Sequence, residues 1–155
     1  MKPAGFTLIE LLVSIALVGL FATMALPLAE LAVKRNQETE LRLALREIRT
    51  ALDAYKQAVD DGRITSSPGD SGYPKNLAIL VNGVPDNRRA DKARIYFLRH
   101  IPRDPMGDPN VPAEESWGKR SYLSSHDRPA PGDDVFDVYS LSKEKGINGI
   151  PYNEW

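Results

Sequence analysis

From Leu11 to Ala29 the chain runs nineteen residues without a charged side chain, and the residue just before that run is a glutamate, Glu10. Such a run is close to the ~20 residues an α-helix needs to cross a bilayer core. Four arrangements accommodate it: a secretory signal peptide, an ordinary signal anchor, a buried core helix, or something more specialised. A signal peptide places small residues at a cleavage site after a shorter apolar stretch; a cut after Ala29 or Ala32 fits that description loosely. A core helix of this length needs more protein around it than the rest of a 155-residue chain supplies. Glu10 separates the remaining choices. An unpaired carboxylate within the membrane costs roughly 2.5–3.5 kcal/mol on insertion scales. A simple anchor gains nothing from it, whereas a subunit that meets a partner in the membrane gains a seat for a neighbouring cation.

Composition narrows the field further. Twenty basic and 21 acidic residues leave a net charge of −1, without the basic excess that marks a nucleic-acid-binding domain. There is no cysteine, which excludes disulfides and thiolate metal sites. Most of the twelve prolines and eleven glycines follow Asp61, so a helical front half precedes a turn-rich back half.

The string Gly5-Phe6-Thr7-Leu8-Ile9-Glu10, followed by Leu11-Leu12-Val13, resembles the processing motif of type IV prepilins and type II secretion pseudopilins. The resemblance implies cleavage by the prepilin peptidase between Gly5 and Phe6 and N-methylation of Phe6. It implies that Glu10 is the assembly carboxylate, paired with the N-terminal amine of an adjacent subunit. It also implies a single-pass protein of the bacterial inner membrane, N-terminus cytoplasmic and C-terminal head periplasmic. Charge counting alone does not orient the span, because Lys2 and the amino terminus face Lys34 and Arg35 on the other flank. A new ammonium at Phe6 and the Glu10 carboxylate can neutralise each other where low dielectric makes a mismatch expensive. Gly19 and Pro27 interrupt the span. Leu26-Pro27 is a kink site, either a tolerated membrane proline or a stretch from Gly19 that bends during assembly.

Between Glu30 and Asp61 there is neither proline nor glycine. Leu41, Leu45, Ile48, Leu52, Tyr55 and Val59 recur at alternating spacings of four and three, the signature of one apolar stripe on a helix. Ala44, Ala51 and Ala58 widen it. The opposite face carries Arg42, Glu47, Arg49, Asp53 and Lys56. Glu38 and Arg42 have helical ion-pair spacing, and Gly62 follows as a cap. A helix from Phe6 to about Asp61 measures on the order of 80 Å at 1.5 Å per residue. A coiled-coil stalk fits less well, since the stripe covers fewer than three heptads.

The back half opens with a loop, residues 62–75. Leu77, Ile79, Leu80 and Val81 suggest a short helix, and Ile95 to Leu98 form an apolar cluster. Ser121-Tyr122-Leu123 and Val135 to Ser140 read as strands. The segments PRDPMGDP, WGKRSYL and DVFDVYSL resemble the head of major pseudopilins, with Met106 in place of the usual tryptophan and Trp117 available for a similar packing role. Those proteins commonly bind calcium in the loop after the last strand. Here that stretch, Ser142 to Trp155, holds no aspartate and carries Lys143 and Lys145, while calcium takes about six to eight oxygens, several charged. Glu144, Asn148 and Asn153 are weak candidate ligands. The tail is expected to close through Ile147, Ile150, Tyr152 and Trp155 instead of through a metal.

Several other signals are set aside. Ser125-His126-Asp127 lists three triad residue types, but sequence neighbours cannot form that relay. His100 and His126 are too separated for a metal site. Asp133-Asp134 reads as a solvated turn, and Arg88, Arg89, Lys92 and Arg94 as a solvated face or a contact with a neighbouring subunit.

The resulting expectation is an α+β, pilin-like fold: a long N-terminal helix packed on a small C-terminal antiparallel sheet. Residues 1–5 form the leader, 6–29 the transmembrane and assembly helix, 30–61 its amphipathic continuation, and 62–155 the head. The resemblance implies a structural, non-enzymatic subunit of a type II secretion pseudopilus. Its partners are copies of itself, other pilin-like subunits, the prepilin peptidase, an inner-membrane assembly platform and membrane lipid; nucleic acid is not expected. The alternatives are a minor pilin of a type IV pilus or DNA-uptake filament, or an uncleaved membrane-anchored enzyme or sensor. No cofactor is expected, calcium being implied by the family and disfavoured by this tail. Thermal melting of the chain is accordingly expected to be unmoved by calcium or a chelator; a marked rise with calcium, reversed by chelation, contradicts closure without a metal.

Overall fold

The computed structural model describes residues 5–155, with side chains for all of these except 24–26. Residues 1–4, most of the stretch read from the sequence as a leader, lie outside the described residues. The chain forms two compact units, Met1–Asn36 and Gln37–Trp155. Helix α1, Leu8–Asp60, begins in the first and ends in the second. It starts two residues later than the apolar pattern predicts and ends one earlier. In the second unit, α2 is Ala78–Asn82, β1 Val84–Pro85, β2 Arg94–Ile95, β3 Trp117–Arg120 and β4 Asp137–Ser140, with a 3-10 turn at Tyr152–Glu154. The expected α+β arrangement is present, its antiparallel strands paired as two short ladders, β1 with β2 and β3 with β4.

The stripe on α1 organises the second unit. Leu41, Ala44, Leu45, Ile48, Ala51 and Leu52 are buried against Leu77, Leu80, Leu98, Trp117, Val135, Val138 and Tyr152. Tyr55 is half-buried and sets its ring edge-on to Phe97, centroids 5.4 Å apart. Each fully buried Leu or Ile contributes about 1.5–3 kcal/mol relative to exposure, so Leu41, Leu45, Ile48 and Leu52 supply a large share of the packing in this unit. Helix α1 stops in a Schellman arrangement. Arg63 N–H donates to Ala58 O (2.9 Å) and Gly62 N–H to Val59 O (2.8 Å), with Gly62 at φ 70°.

Two expected strands differ in outcome. Val135 to Ser140 contains β4, but Ser121 to Leu123 is not a strand; β3 lies just before it, at Trp117–Arg120. The reason is local. Ser124 N–H and Oγ–H both donate to Ser121 O, and the Asp134 carboxylate takes Tyr122 N–H at 2.8 Å, so the backbone turns there. Gly118 makes β3 possible, because a Cβ there would lie 2.3 Å from the Tyr139 ring that crosses it. Trp117 is buried and donates from Nε1 to Pro102 O at 2.8 Å, while Met106 packs partly buried against the same core.

The PRDP and VYSL segments meet through Asp104. Its Oδ2 accepts from Ser140 Oγ at 2.6 Å, its Oδ1 from Met106 N at 2.8 Å, and its own N–H donates to Ser116 Oγ. Asp104 is 1% exposed, and a carboxylate so deeply buried persists because hydrogen bonds replace water around it. Asp86, equally buried, is held by Arg63 at 2.7 Å, which keeps its carboxyl below the usual range. The basic run beside it is engaged locally. Arg88 donates to Asp61 O, Arg89 pairs with Asp91, and Arg94 donates to Asn82 O and Gly83 O.

Candidate functional site

The N-terminal unit combines an acid with an apolar helix surface that the protein leaves uncovered. Phe6 is 85% exposed, and every large apolar side chain from Leu8 to Phe21 is at least half exposed. A helix apolar on all sides is stable only when lipid or other helices surround it. Among the described residues α1 alone is long and apolar enough to cross a membrane, and none of its most apolar stretch is buried.

Glu10 stands at the third position of α1. Its Oε2 accepts both the N–H (2.9 Å) and the hydroxyl (2.8 Å) of Thr7, and Glu10 N–H lies 3.3 Å from Thr7 Oγ1. This is a capping box, with Thr7 as N-cap and the glutamate reaching back from N3. The sequence reading assigned Glu10 a contact with a neighbour and overlooked this local role. The signal was present as Thr7-x-x-Glu10 ahead of an apolar run. The two roles are compatible, because both bonds use one carboxylate oxygen and Oε1 has no partner among the described residues.

Gly5 precedes the helix, and neither Gly5 nor Gly19 has a neighbour within 4 Å of where a Cβ would sit. The helix continues through Pro27. Because proline lacks an N–H, the carbonyl four residues earlier, at Thr23, loses its helical donor. Thr23 and Ser14 turn their hydroxyls onto helix carbonyls, Leu20 O and Glu10 O respectively, each at 2.7 Å.

In the second unit Glu38 was expected to pair across the surface with Arg42. That pair is long, 4.0 Å, and Glu38 is instead buried at 5% exposure. Its Oε1 accepts Ile147 N–H at 2.6 Å and Tyr152 Oη–H at 3.1 Å, which clasps the C-terminal segment to α1. Arg49, read as part of the exposed face, donates to Asp137 Oδ1 (2.8 Å), Val138 O (3.1 Å) and Trp155 O (2.9 Å). It joins helix, strand and tail. Pattern reading missed both residues because charged positions at the margin of a stripe look alike whether they face water or a polar seam.

The tail closes through fewer side chains than expected. Tyr152 is fully buried and Trp155 packs partly buried, with rings 5.1 Å apart, whereas Ile147 and Ile150 remain 43% and 45% exposed. Backbone bonds complete the closure: Gly146 N–H to Ile150 O, Gly149 N–H to Gly146 O and Tyr152 N–H to Glu144 O. Of the weak calcium candidates, Asn148 spends its side-chain oxygen on Ile150 N–H, Glu144 receives Tyr152 through its backbone, and Asn153 is exposed. One carboxylate between two lysines does not match calcium's oxygen demand. His126 and Asp127 are each 91% exposed, 3.5 Å apart, and Ser125 spends its Oγ on Asp127 N–H.

Burial and the Glu38 carboxylate push the Tyr152 phenol up to about 12. A raised folded-state value means that this stability is fully present below the unfolded value near pH 10 and is lost as pH rises toward 12. Alkaline unfolding should therefore steepen across that window in the wild type. Tyr152→Phe should flatten it and cost about 0.5–1.5 kcal/mol at neutral pH in denaturant melts; an unchanged alkaline profile contradicts the clasp.

Residues 1–26 match the family described as the prokaryotic N-terminal methylation motif. The chain is 37% identical over 68 residues to a probable minor fimbrial protein of Dichelobacter nodosus. That alignment covers 44% of this chain and 41% of the relative, so the chain spans less than half the length of the curated relative it matches. No solved structure matches.

Proposed function

We propose that this chain is a structural subunit of a pilus-like filament, made as a precursor, processed between Gly5 and Phe6, N-methylated on Phe6 and assembled from a membrane. The observation that carries the reading is the methylation motif on residues 1–26 joined to an uncovered apolar first stretch of α1, at whose start the second carboxylate oxygen of Glu10 has no partner among the described residues. In this reading residues 1–5 are the leader, 6–29 anchor and polymerise, 30–61 extend the helix, and 62–155 form the head. Glu10 pairs with the amine of a neighbouring Phe6, and Gly19 and Pro27 give the helix freedom to bend during assembly. The prepilin peptidase, an inner-membrane platform and sister subunits are the partners. The chain has no catalytic part in the assembly, and the head closes without calcium.

Two filament types remain in view, each with its own support. The PRDPMGDP segment, clipped by Asp104 to Ser140 of β4, favours a type II secretion pseudopilus. Similarity to a probable minor fimbrial protein favours a minor pilin. The common reading is tested by intact-mass analysis of the protein purified from its host. A chain that starts at Phe6 with one added methyl group is expected. A chain that keeps Met1 to Gly5 contradicts processing and supports an uncleaved anchor instead.

A further inference from the structure

The outward face of α1 in the second unit is charged in an ordered way, and we propose that it forms a contact between copies of this chain, the basic flank of one against the acidic flank of the next. The proposal rests on the filament reading for the identity of the partner; the geometry of the contact comes from the head itself.

Glu40 and Glu47 are seven residues apart and so lie almost in line along the helix, while Arg42 and Arg46 lie one turn apart. At about 100° per residue the two flanks are separated by roughly 130° around the axis, and Leu43 falls between them. Leu43 is 58% exposed, and Glu40, Arg42, Arg46 and Glu47 are all exposed. The side chains of Arg46, Glu40 and Glu47 have no ion pair or hydrogen bond among the described residues. An apolar centre with charges at its rim is the anatomy of a protein contact. Here the rim carries opposite signs on its two sides.

That polarity makes the face complementary to itself. A two-fold pairing of parallel helices satisfies it as well as a head-to-tail contact does, and it is the filament reading that selects the head-to-tail one. A head-to-tail contact sets Arg42 and Arg46 of one copy beside Glu40 and Glu47 of the next, and leaves the same two flanks open for further copies. Such heterologous contacts propagate as rings or helical filaments. The basic flank borders a cleft of about 510 Å³ lined by Arg42, Arg46 and Arg49 and also by the carboxylates of Asp53 and Glu154. The Arg42 guanidinium is held 4.5 Å above the Trp155 ring, which orders it before any partner arrives. A polyanion such as nucleic acid fits less well, because the acidic flank runs beside the cleft on the same helix.

The test uses charge reversal in the host that makes the filament, reading polymer yield against total processed subunit. Arg46→Glu alone and Glu40→Arg/Glu47→Arg together should each lower polymer by about tenfold or more, since like charges then meet at every contact. Producing both variants in one cell should restore polymer, because unlike charges again meet whenever the two alternate. That recovery also shows that each variant folds. Variants that polymerise at wild-type yield, or a mixture that stays defective, overturn the flank contact. A wild-type chain that gives no polymer overturns the filament reading, and this contact with it.

Discussion

A carboxylate beside nineteen uncharged residues sets the terms for everything else in this chain. The apolar surface that follows Glu10 has no cover of its own, since every large side chain from Leu8 to Phe21 is half or more exposed. That surface belongs among lipids or sister helices, and there an acid needs compensation. Thr7 supplies part of it by donating its N–H and hydroxyl to one oxygen. Two neutral donors stabilise a carboxylate without neutralising it, and its second oxygen has no partner among the described residues.

The head solves the opposite problem: how ninety-odd turn-rich residues without a disulfide hold one arrangement. The α1 stripe from Leu41 to Leu52 supplies the apolar floor. Three charged groups then fix what lies on it. Glu38 holds the tail through Ile147 and Tyr152, Arg49 holds β4 and Trp155, and Asp104 holds Ser140. Each is a charge-assisted contact between segments far apart in sequence, and such bonds are about twice as strong as neutral ones. With no cysteine in the chain, these clips supply long-range ties that disulfides provide in many small domains.

Periodicity made the helix legible from the sequence. Leu41, Leu45, Ile48 and Leu52 repeat with helical spacing and are buried, because a 3.6-residue period leaves a direct imprint on composition. The short strands left a weaker one. Four residues of β3 include Gly118, Lys119 and Arg120, which carry little strand preference, and the pairing with β4 is decided by Tyr139 crossing the glycine. Local chemistry therefore pointed to Ser121–Leu123, whereas tertiary packing chose Trp117–Arg120. The Glu38–Arg42 spacing does bring that pair to 4.0 Å, but the bonds of Glu38 to Tyr152 and of Arg49 to Asp137 went unread because those partners lie 114 and 88 residues away. The capping box was readable in Thr7-x-x-Glu10, but attention to the unpaired acid obscured it.

The double duty of Glu10 offers the sharpest test. Glutamine preserves the reach and hydrogen bonding of a capping box but removes the charge. Glu10→Gln should be processed and accumulate in the membrane like the wild type, yet yield few or no polymers in its host. Polymers at wild-type abundance from that variant would mean that the side chain serves only its own helix, and that subunits find one another without it.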